Sequence, residues 1–597
     1  MKPPIDPRRG DIEDDRSSTK RRSLLAITGS LLAEISLTKL VLAWISLIGV
    51  PALLLGLAPL VASAWLTTTA SSAMAAIEEI SSAAILLLAV AIGMLVSRSL
   101  FRLIERSFWT LNSLTVQPAY VFWREALRHA AGRGFAPGAT WAQAALGTAT
   151  AVMAGAAVGA VALGIILLAW PASRWIGRAS ELAAPLHLLV PALANGIVLV
   201  AAYFAGAALV WGIADAAMAQ PRDLAEFDAS PEDGRVWRVA HLSDLHFVGE
   251  RFGWRIESGR SGPQGNERAR HALAQLDALH AEKALDLVLI SGDLTDAGRS
   301  AEWAELLDML ALHPRLAERI LVVPGNHDVN IVDRANPARL DLPTSPGKRL
   351  RQLRALSTIA ALQGDRVRVI DHAARRLGGS LAEALAPRLD AIARFADTGA
   401  FRLSATLGKL WDDVFPMVVT PEVETGLGII LLNSNAETHF SFTNALGMVS
   451  FAQARGIDIA VAQYPRARWL VVLHHHLVEY PNRAVAFSER IGTALINGSW
   501  FGRRLQGLAD RIIVMHGHRH VDWIGRWGGL LIVSAPSPVM GAMNELTSRF
   551  YVHTIAIGAD ERLKLLTPQR IDVAGEQNDA GAAYGFTSLA KDASTPA

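Results

Sequence analysis

Between His241 and His520 the chain gathers Asp, Asn and His into five short blocks: Asp244-Leu-His246, Gly292-Asp-Leu-Thr-Asp296, Gly325-Asn-His-Asp328, His474-His-His476 and Gly517-His-Arg-His520. With no cysteine in the sequence, any metal must sit on nitrogen and oxygen, a donor set that suits manganese, iron and zinc alike. The chemistry such a set suggests is phosphoester hydrolysis. Attacking and leaving oxygens both carry charge there, and two cations about 3.5–4 Å apart stabilise both ends of an in-line displacement. A single block such as Gly-Asn-His-Asp reads equally well as a polar turn; five together read as a two-metal site.

Each block follows a strand-like, β-branched run: Val236 to Leu242, Leu287 to Ile290, Ile320 to Val323, Leu470 to Leu473 and Ile512 to Met515. Ligands at the ends of buried strands belong to an α/β scaffold. An Asp-x-His on an extended strand end would put both ligands on one face, since i and i+2 point alike. The glycines at 292, 325 and 517 are expected to permit tight strand-to-loop turns.

The kinds and order of these blocks resemble the calcineurin-like metallophosphoesterase superfamily, whose signature is D-x-H, G-D-x-x-D, G-N-H-D/E, H and G-H-x-H, over about residues 236–560. The resemblance implies an α/β fold, a metallophosphoesterase-type β-sandwich flanked by helices, with two divalent metal ions and a metal-bound hydroxide that attacks phosphorus. Carried over by position, Asp244, His246 and His520 would hold one ion, and Asn326, His474 and His518 the other. Asp293 would bridge them, His327 would act as acid toward the leaving group, and the Asp296 side chain would hold the His327 imidazole. His475 is the alternative to His474, while His476 and His516 read as packing or supporting donors. Where the phosphoprotein phosphatase branch has Arg after the second Asp of G-D-x-x-D, this chain has Ala297. That weakens a protein-phosphatase reading and favours another phosphodiester or phosphomonoester, lipid-linked or nucleotide. The rival reading is a membrane receptor or scaffold whose phosphoesterase-like domain binds a phosphorylated ligand without turnover.

At 597 residues the chain exceeds one core, and it is 51% hydrophobic with only 19% charged residues. The excess lies in apolar stretches at about 41–63, 83–104, 147–169 and 187–213, each able to supply the roughly 20 residues of a bilayer-crossing helix. An all-α region at 23–220 with four transmembrane spans is therefore expected. Arg8, Arg9, Arg16, Lys20, Arg21 and Arg22 precede the first stretch; Arg106, Arg124, Arg128 and Arg133 follow the second, whereas the loop at about 64–82 has no Lys or Arg. By the positive-inside rule the termini and the catalytic half face the cytoplasm, as in an integral protein of a bacterial-type inner membrane. Ser107 to Trp141 reads as a helix lying on the inner leaflet.

A formal charge of +2 gives no reason to expect a stable nucleic-acid partner, and nothing here excludes an oligomer. The polar ends, 1–22 and 571–597, are expected to be disordered. Within a phosphoesterase domain at 236–570, the long connection at about 331–427 should form a helical cap. Its cluster of Lys348, Arg349, Arg351, Arg354, Arg366, Arg368, Arg375 and Arg376 reads as a binder of substrate phosphate or of the anionic leaflet, or else as a solvated helix face.

Overall fold

A computed structural model of the chain describes residues 49–76, 116–132 and 140–574, apart from parts of 179–184, 251–262, 334–344, 482–494 and 541–546 and the single positions 232 and 560. The expected span at 83–104, the leader and the tail beyond 574 lie outside the described residues.

Four helices open the described chain: α1 (Val50–Ala76), α2 (Gln117–Gly132), α3 (Thr140–Ala169) and α4 (Leu189–Ala216). Among the described residues, three stretches are long and apolar enough to cross a membrane, at Val50–Thr69, Ala145–Ala172 and Leu186–Ala216. The first runs past the expected boundary at 63, because α1 continues through Ala76. Close helix crossings depend on small residues, which let backbones approach. A Cβ on Gly155 would stand 2.7 Å from the Ala208 carbonyl oxygen, and one on Gly212 2.8 Å from that of Ala151. Gly159 faces only the Leu209 side chain. Within the segment expected to lie on the leaflet, α2 packs against α3 and α4. Val116 packs with Val158 and Ala208, Tyr120 and Val121 with Ala154 and Trp211, and Arg128 donates to Thr150.

The rest of the described chain is built on two sheets. Its strands are β1 (Arg222–Asp223), β2 (Gly234–Leu242), β3 (Leu287–Ile290), β4 (Ile320–Val322), β5 (Arg368–Asp371), β6 (Arg376–Ser380), β7 (Met417–Val419), β8 (Leu427–Leu431), β9 (Arg468–Val472), β10 (Ile512–His516), β11 (Trp523–Trp527), β12 (Leu530–Ser534), β13 (Thr547–Gly558), β14 (Leu563–Leu565) and β15 (Gln569–Ala574). One sheet runs β1-β11-β12-β10-β9-β8-β7-β5-β6; the other runs β14-β13-β2-β3-β4, with β15 on β13. β2, β3 and β4 are mutually parallel, as are β8, β9, β10 and β12.

Parallel strands are covered on both faces and so are apolar almost throughout, which is why runs such as Leu287-Val-Leu-Ile290 and Ile320-Leu-Val322 are wholly buried. Alternate side chains go to opposite faces. Leu470 and Val472 join Val239, Leu289 and Val552 in the core that both sheets share, while Val471 and Leu473 join Ile457 and Phe501 of the helices behind the large sheet. β15 carries the ordered fold to Ala574, past the expected end at 570.

The connection at about 331–427 is not simply a helical cap. It contains helices, but β5, β6 and β7 extend the large sheet by hydrogen bonding on β8, and Leu381, Leu385, Ile392 and Phe395 join the shared core. Nor are Lys348, Arg349, Arg351 and Arg354 a solvated face, for all four are buried. Lys348 donates to the Thr438 carbonyl, Arg349 to that of Gly408, Arg351 to that of Val329 and to Asp341, and Arg366 to those of Glu318 and Leu362. These cations tie loops together by charge-assisted bonds, worth about 1.5–3 kcal/mol each.

Candidate metal centre

All five blocks sit at the C-terminal ends of parallel strands, following β2, β3 and β4 in one sheet and β9 and β10 in the other, so the two sheets face their ligands toward one point. The donors fall into three overlapping groups: Asp244, His246 and His520; His246, Asp293 and His327; Asp293, His474 and His518. Within each, ligand atoms lie within 4.8 Å of one another. His520 Nε2 is 3.2 Å from Asp244 Oδ1, and Asp293 Oδ2 lies 3.7 Å from His246 Nε2 and 3.2 Å from His474 Nε2. Asn326 Oδ1 and His518 Nδ1 are each 3.1 Å from His474 Nε2. Asp293 thus stands between the two sets. His474, not His475, points into the cradle: His475 Nδ1 accepts from the Ser434 hydroxyl, 2.9 Å away, and its ring packs against Gly447. His476 faces Glu479, and His516 stacks on Tyr480.

The ligands do not ride on extended strand ends. Asp244, His246, Asp293, His518 and His520 have φ of 57°, 43°, 50°, 78° and 54°, five of the seven non-glycine residues with positive φ among those described. The left-handed region is uncommon outside glycine, though Asp and His tolerate it better than β-branched residues do. Each such position costs on the order of 1–3 kcal/mol, a strain that clusters at functional sites. Gly292, at φ +101°, meets the conformational expectation. Gly325 answers a different need, since a Cβ there would stand 2.1 Å from both the Asp293 nitrogen and Oδ1.

Supporting groups settle which ring nitrogen faces inward, because a ring N–H that donates to a fixed acceptor leaves the other nitrogen bare. His474 donates Nδ1–H to the Ser291 carbonyl at 2.8 Å, and His518 donates Nε2–H to that of Thr493 at 3.1 Å. His246 Nδ1 lies 3.3 Å from Asp296 Oδ1. The other Asp296 oxygen accepts from the Ile256 N–H. The His327 imidazole donates Nδ1–H to the Asp296 backbone carbonyl, 2.6 Å away. Asp328 knits two loops by accepting from the Thr295 N–H and hydroxyl and from the Gly325 N–H.

Electrostatics follow from burial and crowding. Burial favours a neutral Asp244, but His520 outweighs it and holds the carboxyl at about 2. Burial likewise opposes a charged His474, yet Asp293 pushes it up to about 9. His246, buried among other imidazoles, falls well below the usual histidine range. The cluster suits a metal ion on two counts: the donors are N and O only, and Asp244 Oδ1 and His246 Nε2 are buried without a hydrogen-bond partner, a deficit that a bound cation would make good.

A family model for calcineurin-like phosphoesterases matches residues 238–522, the stretch that contains all five blocks. Residues 238–522 are a calcineurin-like phosphoesterase domain. Solved structures similar to the chain include a dimetal phosphatase from Danio rerio, at 12% identity over 58% of this chain and 99% of that one, with a TM-score of 0.33. A putative 5'-nucleotidase from Staphylococcus aureus is 13% identical over 58% and 55% of the two chains, TM-score 0.31. The NAD nucleotidase NadN of Haemophilus influenzae is 9% identical over 57% of each, TM-score 0.29. This chain thus spans little more than half the length of both nucleotidases. No curated protein matches it. The supporting groups of this phosphoesterase domain that sequence reasoning missed, the Ser291, Thr493 and Asp296 carbonyls, are backbone atoms and carry no residue-type signal.

Proposed function

We propose that the chain is a membrane-associated, metal-dependent phosphoesterase with a dinuclear centre. One divalent ion would be held by Asp244, His246 and His520, another by Asn326, His474 and His518, with Asp293 between them. The observation that carries this reading is the placement of Asp293 between two donor sets, with Asp244 Oδ1 and His246 Nε2 buried and without a hydrogen-bond partner. Two divalent cations bound there would polarise the phosphoryl group and activate water.

The chain's own residues do the rest. Asp293 is fixed by accepting the His327 backbone N–H at Oδ1, 2.8 Å. His327 suits a proton donor to the leaving oxygen: burial opposes its charge, but Asp293 and Asp296 raise its affinity for a proton above the ordinary histidine value. Ala297 is buried, and its N–H is taken by Glu302, so the position after Asp296 offers no phosphate-gripping cation. Lipid-linked and nucleotide phosphoesters are the substrate classes this reading favours over phosphoproteins.

The test is turnover of a chromogenic bis-aryl phosphate by the purified full chain with manganese. The expected result is hydrolysis in the parent and none in Asp293→Ala, with bound manganese falling from about two ions per chain. Manganese bound by the parent without turnover of several diesters would instead favour the receptor reading.

A further inference from the structure

Two cations of the long connection keep donors beyond the loops they tie. Lys348 and Arg349, on the helix Pro346–Gln363, line an open cleft of about 440 Å³. Its other walls are the helix Phe401–Asp413, residues 433–437 after β8, and Val329 with Asn330. The last two walls are shared with the metal centre. Val329 and Asn330 close the short helix that begins with Asn326 and His327, so Asn330 lies about 4.5 Å along its axis from His327 at 1.5 Å per residue. Asn435 donates Nδ2–H to the Pro324 carbonyl at 3.0 Å, and the Ser434 hydroxyl accepts the His474 N–H at 3.1 Å. Open α/β sheets take their ligands outside the carboxyl ends of the strands, and the cleft occupies that rim.

Its polar groups are of both kinds. An ammonium carries three N–H groups; Lys348 gives one to the Thr438 carbonyl, and the Arg349 Nε–H is buried without a hydrogen-bond partner. Acceptors lie close by. Asp412 feels the charge of both cations yet has no hydrogen-bond or ion-pair partner among the described residues. Glu437, 62% exposed at the mouth, stands 3.5 Å from Lys348 Nζ, and Asn435 Oδ1 is buried without a partner. Two cations against two carboxylates leave the cleft neutral. An anionic ligand would meet repulsion from Asp412 and Glu437, and a cationic one from Lys348 and Arg349. A hydroxyl both donates and accepts, so a group bearing several of them satisfies Lys348, Asp412 and Asn435 together without burying a charge. Trp411, itself buried, supplies an apolar wall for its C–H face.

We propose that this cleft holds the alcohol half of the substrate, a neutral polyhydroxylated group of the inositol or glycerol kind. The proposal rests on the phosphoesterase reading and narrows it to polyol phosphodiesters. Because the loop that carries His327 forms one wall, the polyol oxygen is the leaving oxygen. The phosphorus–oxygen bond to the polyol breaks and one to the oxygen of water forms. One water proton stays with the phosphate, and the other reaches the polyol oxygen by way of His327.

Binding is read first, without turnover. Saturation-transfer difference NMR on the metal-free full chain in phosphatidylcholine nanodiscs, with myo-inositol as the probe, should give a signal that sorbitol displaces. It should fall severalfold in Asp412→Asn with Glu437→Gln, two exposed carboxylates whose amides bury nothing new. No signal in the parent, an equal signal in the double variant, or displacement by malonate as readily as by sorbitol would overturn the polyol cleft. The manganese-loaded chain is then assayed for inositol released from glycerophosphoinositol and from phosphatidylinositol in the same nanodiscs, beside a bis-aryl phosphate. For the better inositol ester, kcat/KM relative to the aryl ester should fall about tenfold in the double variant, chiefly through KM. Whichever ester is better names the source, a soluble diester or a lipid. An unchanged ratio would overturn the assignment of the cleft to the substrate. Loss of aryl turnover in the parent, with the NMR signal intact, would sink the phosphoesterase reading and leave the binding of polyol standing.

Discussion

His327 and Asp296 are joined through the main chain: the ring donates to the Asp296 backbone carbonyl at 2.6 Å, while the Asp296 carboxylate lies 3.3 Å from His246. Asp296→Asn should therefore leave the proton donor in place and disturb a ligand instead. We expect manganese affinity to fall about 10–100-fold, as for other groups that orient metal-bound histidines, with the alkaline limb of the pH–rate profile unmoved. His327→Ala should do the reverse. It should remove that limb and cost about 10²–10⁴ in kcat on esters with poor leaving groups, with little loss on aryl esters. An alkaline limb that moved in Asp296→Asn at unchanged metal affinity would restore the carboxylate as the partner of His327.

Gly325→Ala probes how tightly two loops are nested. Its Cβ would overlap the Asp293 nitrogen and Oδ1 at 2.1 Å, and overpacking of this kind costs about 1–3 kcal/mol. Since the atom displaced belongs to the central carboxylate, calorimetric titration should show weaker manganese binding together with a lower melting temperature. Unchanged metal affinity would mean that the Asp293 side chain moves without consequence.

Glu302 predicts a pH dependence of stability. Burial and the nearby Asp296 charge raise its carboxyl to about 8 in the folded chain from 4.5. Across that window the folded state binds the extra proton, so stability is fullest below about 4.5 and declines as pH rises toward about 8. Glu302→Gln keeps an oxygen to accept from the Ala297 and Arg299 N–H groups but cannot ionise. Scanning fluorimetry from pH 5 to 8.5 should show the parent losing several degrees more than the variant. Parallel curves would refute the assignment.

Arg351 separates a structural from a substrate-binding role for the basic cluster. It is buried against Asp341, itself buried, and removing one partner of a buried pair costs about 3–5 kcal/mol. Arg351→Met should lower the melting temperature strongly and leave KM for a soluble diester unchanged. A raised KM at unaltered stability would return the cluster to the substrate.

Parallel strands announced themselves because burial on both faces makes them continuous apolar runs, and the ligand blocks were legible because few residue types do this chemistry. The errors have a common cause in distance along the chain. Lys348 and Arg351 looked like a charged helix face because Lys348 is capped by the Thr438 carbonyl and Arg351 by Asp341, contacts that only the folded chain brings together. Likewise Tyr120 and Arg124 of the helix at 117–132 both donate to Asp215, which is outside that helix's own sequence window. Thr493 left no trace at all, since it contributes a carbonyl.

The left-handed backbone at Asp244, His246, Asp293, His518 and His520 is strain that the site carries together with its donors. Glycine at Asp244 or Asp293 would relax the local backbone, yet it would strip the His518 and His327 N–H groups of the carboxylate oxygens they donate to, a loss of about 1–3 kcal/mol that offsets the strain removed. The side chains that face the cradle are thus also the pins that hold its loops in place.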